Sequence, residues 1–152
     1  MSLSNVNVII STGKRKKAVA TAIIKPGNGK VRVNGVPAEI IPNVMARTKV
    51  LEPILLVGKE IRNLIDIEVK VNGGGVMGQA AAIRTAIARG LISYFKCNDN
   101  SEECQKRNEI AERIKQIFEE YDRTMLSGDY RRTEPEKYMR YGARRGWQTS
   151  YR

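Results

Sequence analysis

The 152-residue sequence contains no histidine. This absence excludes catalytic triads and dyads that use an imidazole base, zinc sites with histidine ligands and imidazole proton shuttles. Only two cysteines are present, Cys97 and Cys104, and two thiolates cannot complete a structural zinc site by themselves. We therefore expect two reduced thiols near the start of a helix, with no metal and no cofactor.

Long apolar runs are also missing. No stretch of about 18 apolar residues occurs, which predicts that no helix crosses a membrane. The first residues lack the basic and apolar segments of a secretory signal. An apolar content of 41% is ordinary for a globular chain. These features predict a soluble intracellular protein with one compact domain and an appendage.

Negative charge is scarce and concentrated in one place. The chain has 27 Lys and Arg against 16 Asp and Glu, a net charge of +11. Residues 1–96 carry 15 cations and 5 anions, residues 97–128 carry 5 and 8, and residues 129–152 carry 7 and 3. Such a surplus favours a polyanionic partner. Nucleic acid is the leading candidate; an anionic membrane is the lesser one, because no long basic amphipathic helix occurs.

Hydrophobic periodicity predicts both strands and helices. Strands are expected over residues 6–11, 18–24, 31–33 and 65–71, with turns at 26–30 and at the Asn34-Gly35 pair. Helices are expected over 43–51, 77–96 and from the polar break at 97–101 to about residue 121, with a separate turn or two at 53–57 after Pro53.

The two long helices have predicted faces. In the first, the side opposite the apolar stripe carries Thr85, Arg89, Ser93 and Lys96. In the second, the acidic residues form a solvated outer face, and the inner face carries Ile110, Ile114, Ile117, Phe118 and Tyr121.

Residues 128–152 lose all periodicity yet hold five of the nine aromatic residues. Arginine matches phosphate geometry and stacks on bases, and aromatic rings supply further stacking faces. The sequence thus predicts a globular domain over 1–127 and an extended RNA-binding tail over 128–152; a charged tail that binds nothing is the alternative. The interleaved residues are Tyr130, Arg131, Arg132, Lys137, Tyr138, Arg140, Tyr141, Arg144, Arg145, Trp147, Tyr151 and Arg152.

Two further motifs suit phosphate binding. Four consecutive cations, Lys14, Arg15, Lys16 and Lys17, form a predicted connection between strands, where they would contact phosphates or merely be solvated. The glycine-rich segment 73–79 joins a strand to a helix, so its backbone could approach a phosphate. It lacks both the Gly-Lys-Ser/Thr ending of a P-loop and G-x-G-x-x-G spacing, which favours an RNA contact or a tight turn over a nucleotide site. No convincing acid/base pair occurs, and no enzyme is expected.

Seven segments together resemble one protein family, the ribosomal protein S nine family of the small subunit, and the last two point to its archaeal and eukaryotic cytosolic branch. The similarity covers nearly the whole chain. The segments are 13–20 (GKRKKAVA), 33–35 (VNG), 51–53 (LEP), 73–84 (GGGVMGQAAAIR), 121–126 (YDRTML), 129–135 (DYRRTEP) and 150–152 (SYR).

The resemblance implies an α+β fold, a two-layer α/β sandwich with a small, mainly antiparallel sheet and helices on one face, similar to the second domain of ribosomal protein S five. It also implies a structural, non-enzymatic role in the head of the small subunit in the cytoplasm, beside neighbouring ribosomal proteins. Tyr151 and Arg152 would contact peptidyl-site tRNA. Residues expected at rRNA are Lys14, Arg15, Lys16, Lys17, Gly73, Gly74, Gly75, Gln79, Arg84, Arg131, Arg132, Arg140, Arg144 and Arg145.

The chain departs from the family pattern in two places. Residues 97–120 are longer and more acidic than expected, and in the tail Thr149 replaces a usual lysine while Trp147 is unusual. Two other functions remain open from the residues alone. One is a general nucleic-acid-coating protein, and the other is a nucleotide-binding enzyme that uses the loop from Gly73 to Gly78.

Overall fold

A computed structural model describes residues 8–97, 102–148 and 150. In this part of the chain a mixed sheet packs against α-helices, which confirms the α+β class. The strands are β1 (Ile9–Arg15), β2 (Ala18–Pro26), β3 (Val31–Val33), β4 (Val36–Pro37) and β5 (Ile65–Asn72). The helices are α1 (Val44–Val57), α2 (Lys59–Arg62), α3 (Val76–Phe95), α4 (Glu102–Asp122) and α5 (Thr124–Ser127), with a 3₁₀ turn at Ala38–Ile40.

The sheet has the strand order β1-β2-β5-β3-β4, and among these described strands only the β3–β5 pair is parallel. The alternation predicted for 65–71 is confirmed, because every second residue of β5 from Ile65 is buried. Asn34 and Gly35 have φ values of 48° and 84°, as a two-residue hairpin turn of type I′ requires.

The first hairpin is longer than predicted. β1 runs to Arg15, which pairs with Ala18 of β2, so only Lys16 and Lys17 form the turn. The prediction that residues 12–17 connect the strands was therefore wrong. Lys14 and Arg15 lie in a hydrogen-bonded strand because the β1–β2 register continues to its end, and this fixes the direction in which their side chains leave the sheet.

Helix α3 is the centre of the core. It packs on β1 and β2, and α1, α4 and α5 pack on α3 in turn. Gly13 of β1 lies so close to α3 that an added Cβ would be 2.1 Å from the carbonyl oxygen of Ala82. The prediction that Thr85 lies on an outer face was wrong: Thr85 is buried because helices cover the side of α3 that faces away from the sheet.

Helix α1 continues through Pro53, contrary to the prediction of a break there. Its start is capped by Asn43, whose side-chain oxygen accepts a hydrogen bond from the N–H of Ala46 at 3.1 Å. Proline removes one helical hydrogen bond. Pro53 is buried with its neighbour Ile54, and this packing offsets that loss.

The cysteines are joined in a disulfide, which corrects the expectation of reduced thiols. The first turn of α4 brings Cys104 beside Cys97 at the end of α3, with 5.5 Å between the Cα atoms. Asn108 of α4 stabilises the same junction. Its side-chain oxygen accepts a hydrogen bond from the N–H of Cys97 at 2.9 Å, and its side-chain nitrogen donates to the carbonyl of Cys97 at 3.1 Å.

Helix α4 confirms the acidic outer face. Its glutamates are exposed, and Ile114 and Phe118 are buried against the core. Ile110 and Tyr121, predicted to face inward, are exposed instead, because they lie at the edges of the buried stripe. Among the described residues, no helix has both the length and the apolar character needed to span a bilayer.

Candidate nucleic-acid interface

The basic hairpin turn and the glycine-rich loop lie side by side. Strand β2 pairs with β5 so that Val19 is opposite Asn72, which places the turn before β2 next to the loop after β5. A Cβ on Gly73 would lie 2.6 Å from the carbonyl oxygen of Lys17. Gly73 also has φ of 74°, so both space and backbone conformation favour glycine there. Two motifs that the sequence presents separately thus form one surface.

An open cavity of about 410 Å³ occupies this junction. Of the described residues, those that line it include four cations and no carboxylate. Three of the cations come from the hairpin, and Lys49 comes from α1. The lining residues are Arg15, Lys16, Lys17, Lys49, Gly74, Gly75, Met77, Gly78, Ala81 and Thr133.

The N-terminus of α3 opens into the same cavity. Gly75 is the N-cap residue and has no side chain to cap the helix, so within the described part of the chain the N–H groups of the first turn keep hydrogen-bonding capacity. The helix dipole adds partial positive charge at this end. Gln79 is a support for the loop, because its side-chain nitrogen donates to the carbonyl of Gly73 at 3.1 Å. The cavity therefore combines cationic side chains with backbone donors, which suits phosphate.

Lys16 has a strained backbone. Its φ of 54° lies in the left-handed region, which costs a residue with a side chain about 1 kcal/mol. Glycine or asparagine would relieve this strain more readily. A lysine here keeps a positive charge at the tip of the hairpin, beside the cavity.

The tail begins at the edge of this cavity. Asp129 pairs with Arg15, with 2.6 Å between carboxylate and guanidinium. Arg132 donates to the carbonyl of Lys16 at 3.3 Å, and Thr133 lines the cavity itself. Arg89 fixes the preceding turn, because it donates to the carbonyls of Leu126 and Ser127 at 2.7 and 2.9 Å. These contacts lead the chain from the body across the cationic surface.

Tail arginines differ in their partners. Arg131 donates to Asp129 through Nε and Nη2, at 3.0 and 2.8 Å from Oδ2, and Arg144 donates to Glu134 through the same two nitrogens. The side-chain hydrogen bond from Arg131 holds the pKa of Asp129 below its ordinary value, and the one from Arg144 does the same to the pKa of Glu134. Arg145 instead lies 6.0 Å from the ring centroid of Tyr141.

The tail aromatics are open to solvent. Tyr130 and Tyr138 are 93% and 94% exposed, and Tyr141 and Trp147 lie next to each other with 5.8 Å between ring centroids. Arg140 pairs through its backbone with Gly146, the only pairing within the described tail that resembles a strand. Exposed rings interleaved with cations suit base stacking. Tyr151, Arg152 and Thr149 lie outside the described residues.

Arg84, which the sequence places among the RNA-contacting residues, does not line this cavity. It is 8% exposed, and its Nε lies 2.6 Å from Glu52 in an ion pair that departs from linear hydrogen-bond geometry. Its Nη1 donates to Asp122 at 2.8 Å. Because α1 and α4 pack against α3 on both sides of it, the guanidinium is committed to carboxylates within the protein.

Sequence reasoning missed two residues of the surface, Lys49 and Thr133. Lys49 stands in no motif, and Thr133 lies within segment 129–135 but is not one of its cations or aromatic residues. Lys49 is one cation of a helix whose position depends on packing against α3, and Thr133 reaches the cavity only because the tail is pinned to the hairpin. A pattern along the chain carries no signal for either.

Comparison with known proteins gives consistent results. The model of the family described as ribosomal protein S9/S16 matches residues 13–152. The small ribosomal subunit protein uS9 of Aeropyrum pernix is 58% identical over 146 residues, covering 95% of this chain and 97% of the relative. Its counterpart from Desulfurococcus amylolyticus is 50% identical over 147 residues, covering 97% and 94%. The one from Sulfolobus acidocaldarius is 46% identical over the full length of both chains.

Proposed function

The chain belongs to the S9/S16 family of ribosomal proteins, and on that premise we propose that it is a structural constituent of the small ribosomal subunit in the cytoplasm. This is a family of ribosomal proteins and not of enzymes. The chain accordingly catalyses no reaction and needs no cofactor. Its partners are rRNA of the subunit head and neighbouring ribosomal proteins, and its body has the fold of the second domain of ribosomal protein S five.

The cationic cavity is the observation that carries the rRNA contact. Lysines from two elements, the glycine-rich loop and the free end of α3 meet there. In the proposed complex Lys16, Lys17 and Lys49 bind phosphates at the cavity, and Gly73, Gly74 and Gly75 let the RNA backbone come close. The exposed Lys14 of β1 binds a further phosphate outside the cavity. Binding is driven by counterion release, so it depends steeply on salt and discriminates weakly between sequences.

The tail extends the same contact. Arg131, Arg132, Arg140, Arg144 and Arg145 reach further phosphates, and the exposed rings stack on unpaired bases. At the end of the tail, we propose that Tyr151 and Arg152 contact peptidyl-site tRNA.

Co-sedimentation tests the assignment. The tagged full-length chain, expressed in cells, is expected to sediment with small ribosomal subunits through a high-salt gradient, because a protein built into the particle is held by many contacts at once. A tagged basic protein of similar charge serves as the control and should remain at the top. If the chain also stays at the top, the ribosomal role is contradicted, and binding of mononucleotides and duplex DNA to the cavity becomes the next measurement.

Deletion of residues 149–152 tests the tRNA contact. Subunits containing the shortened chain should assemble normally, because the cavity and the body hold the rRNA. Their affinity for peptidyl-site tRNA should fall by about tenfold, the effect of losing one arginine–phosphate bond of the stronger kind. Filter binding of tRNA to isolated subunits measures this. Replacement of the same four residues by Gly-Ser-Gly-Ser separates side chains from length, and an unchanged affinity in both variants would remove the tail end from tRNA binding.

A further inference from the structure

The tail carries three carboxylates, and they differ in their partners. Asp129 pairs with Arg15 and Arg131, and Glu134 pairs with Arg144. Glu136 has no cationic partner among the described residues, although it lies only two positions beyond Glu134. Two of the three carboxylates are thus paired with particular arginines, and the third is not.

We propose that Asp129 and Glu134 are specificity-determining residues. In the free protein their carboxylates bind the paired Nε and Nη2 donors (the fork) of Arg131 and Arg144, and RNA phosphates displace them on binding. The inference rests on the proposed RNA-binding function. A carboxylate gripped through Nε and Nη2 uses the same donors in the same fork that a phosphate would use. The pairs therefore compete directly with RNA for two arginines of the tail, Arg131 and Arg144.

The exposure of the two arginines makes the exchange easy. The side chains of Arg131 and Arg144 are 78% and 82% exposed, and pairs in such positions are weak because water screens them. An isolated phosphate gains little by displacing a carboxylate that is already in place. A folded RNA that presents several phosphates along the tail displaces both carboxylates together, so the pairs penalise non-specific RNA more than a matching site.

Arg140 and Arg145 provide the contrast within the same segment. Neither contacts a carboxylate among the described residues: Arg140 takes part in a backbone bridge and Arg145 lies over Tyr141. These two arginines are available from the start. The tail therefore makes its first contacts with RNA through Arg140 and Arg145. The arginines paired with carboxylates bind RNA only when it presents enough phosphates to displace those carboxylates.

Glu134→Gln and Glu136→Gln form a matched test in the full-length chain. Both remove one negative charge from the same exposed segment, but only the first frees an arginine fork. With a single-stranded oligouridine as the probe, Glu134→Gln should bind about two- to fivefold more tightly than Glu136→Gln. The slope of log affinity against log salt should also steepen by about 0.7 for the additional phosphate contact. Asp129→Asn, which frees the fork of Arg131, should also bind more tightly than Glu136→Gln.

A second background makes the test independent of overall charge. When Arg144→Gln is already present, Glu134→Gln should gain no more affinity than Glu136→Gln, because no fork remains to be freed. Equal affinities and slopes for all three carboxylate variants in the wild-type background would overturn the proposal while leaving RNA binding intact. Failure of the unmodified chain to bind the oligouridine would instead count against the proposed function itself.

Discussion

Replacing Lys16, Lys17 and Lys49 together by glutamine is expected to weaken binding to small-subunit rRNA on the order of 100-fold near physiological salt. Each lysine lines the cavity beside the N-terminus of α3, and each lost phosphate contact forgoes the release of condensed counterions. The salt dependence should change with it: the slope of log affinity against log salt should become shallower by about 2 to 3. Filter binding over a range of salt concentrations measures both quantities.

The matched control removes the same charge from elsewhere. Lys25, Lys59 and Lys106 are exposed and lie outside the cavity. Their joint replacement by glutamine should lower affinity only through the general field of the protein, with little change in slope. Equal effects from the two triple variants would mean that the net charge, and not the cavity, holds the RNA. Circular dichroism should show the same helix content for both.

The regular elements were predictable because their signals are local. Alternation along β5 and the Asn34-Gly35 turn depend on neighbours a few residues apart, and the predicted bounds of α3 were wrong by one residue at each end. The errors came where packing prevails over local preference. Pro53 stays inside α1 because the helix buries that turn, and Thr85 is buried because α3 is covered by other helices as well as by the sheet.

The surface was predictable only in pieces. The basic run and the glycine-rich loop stand out in the sequence because each is a dense local pattern, but their meeting depends on the β2–β5 register. The partners of individual arginines are still less accessible. Three arginines that the sequence does not distinguish have different surroundings. Arg15 joins the tail to the hairpin, Arg84 is buried between helices, and Arg131 is exposed and paired with Asp129. Only the three-dimensional arrangement separates an arginine available to RNA from one committed to the fold.

Arg84→Met is expected to lower the free energy of unfolding by about 3 kcal/mol, because it leaves Glu52 and Asp122 with no cation in a largely buried site. Burial raises the pKa of Asp122, but hydrogen bonds from Thr124 and Arg84 outweigh it and hold that pKa below its ordinary value. The stabilisation from this carboxylate is therefore present above its unfolded pKa and is lost as the pH falls through the folded one. Urea denaturation of the wild type and the variant at neutral and acidic pH should show the difference between them shrinking toward low pH.

The decisive comparison adds Glu52→Gln and Asp122→Asn to Arg84→Met. This triple variant should recover most of the lost stability, because the cost lies in unpaired carboxylates and not in the absence of the pair itself. Under conditions where it is folded, Arg84→Met should bind rRNA with an unchanged salt slope, since its guanidinium contacts protein and not phosphate. A shallower slope with undiminished stability would return Arg84 to the RNA surface. An unchanged slope with lowered stability would establish that the two ends of segment 73–84 have different roles: the glycine-rich first half binds RNA, and Arg84 stabilises the core.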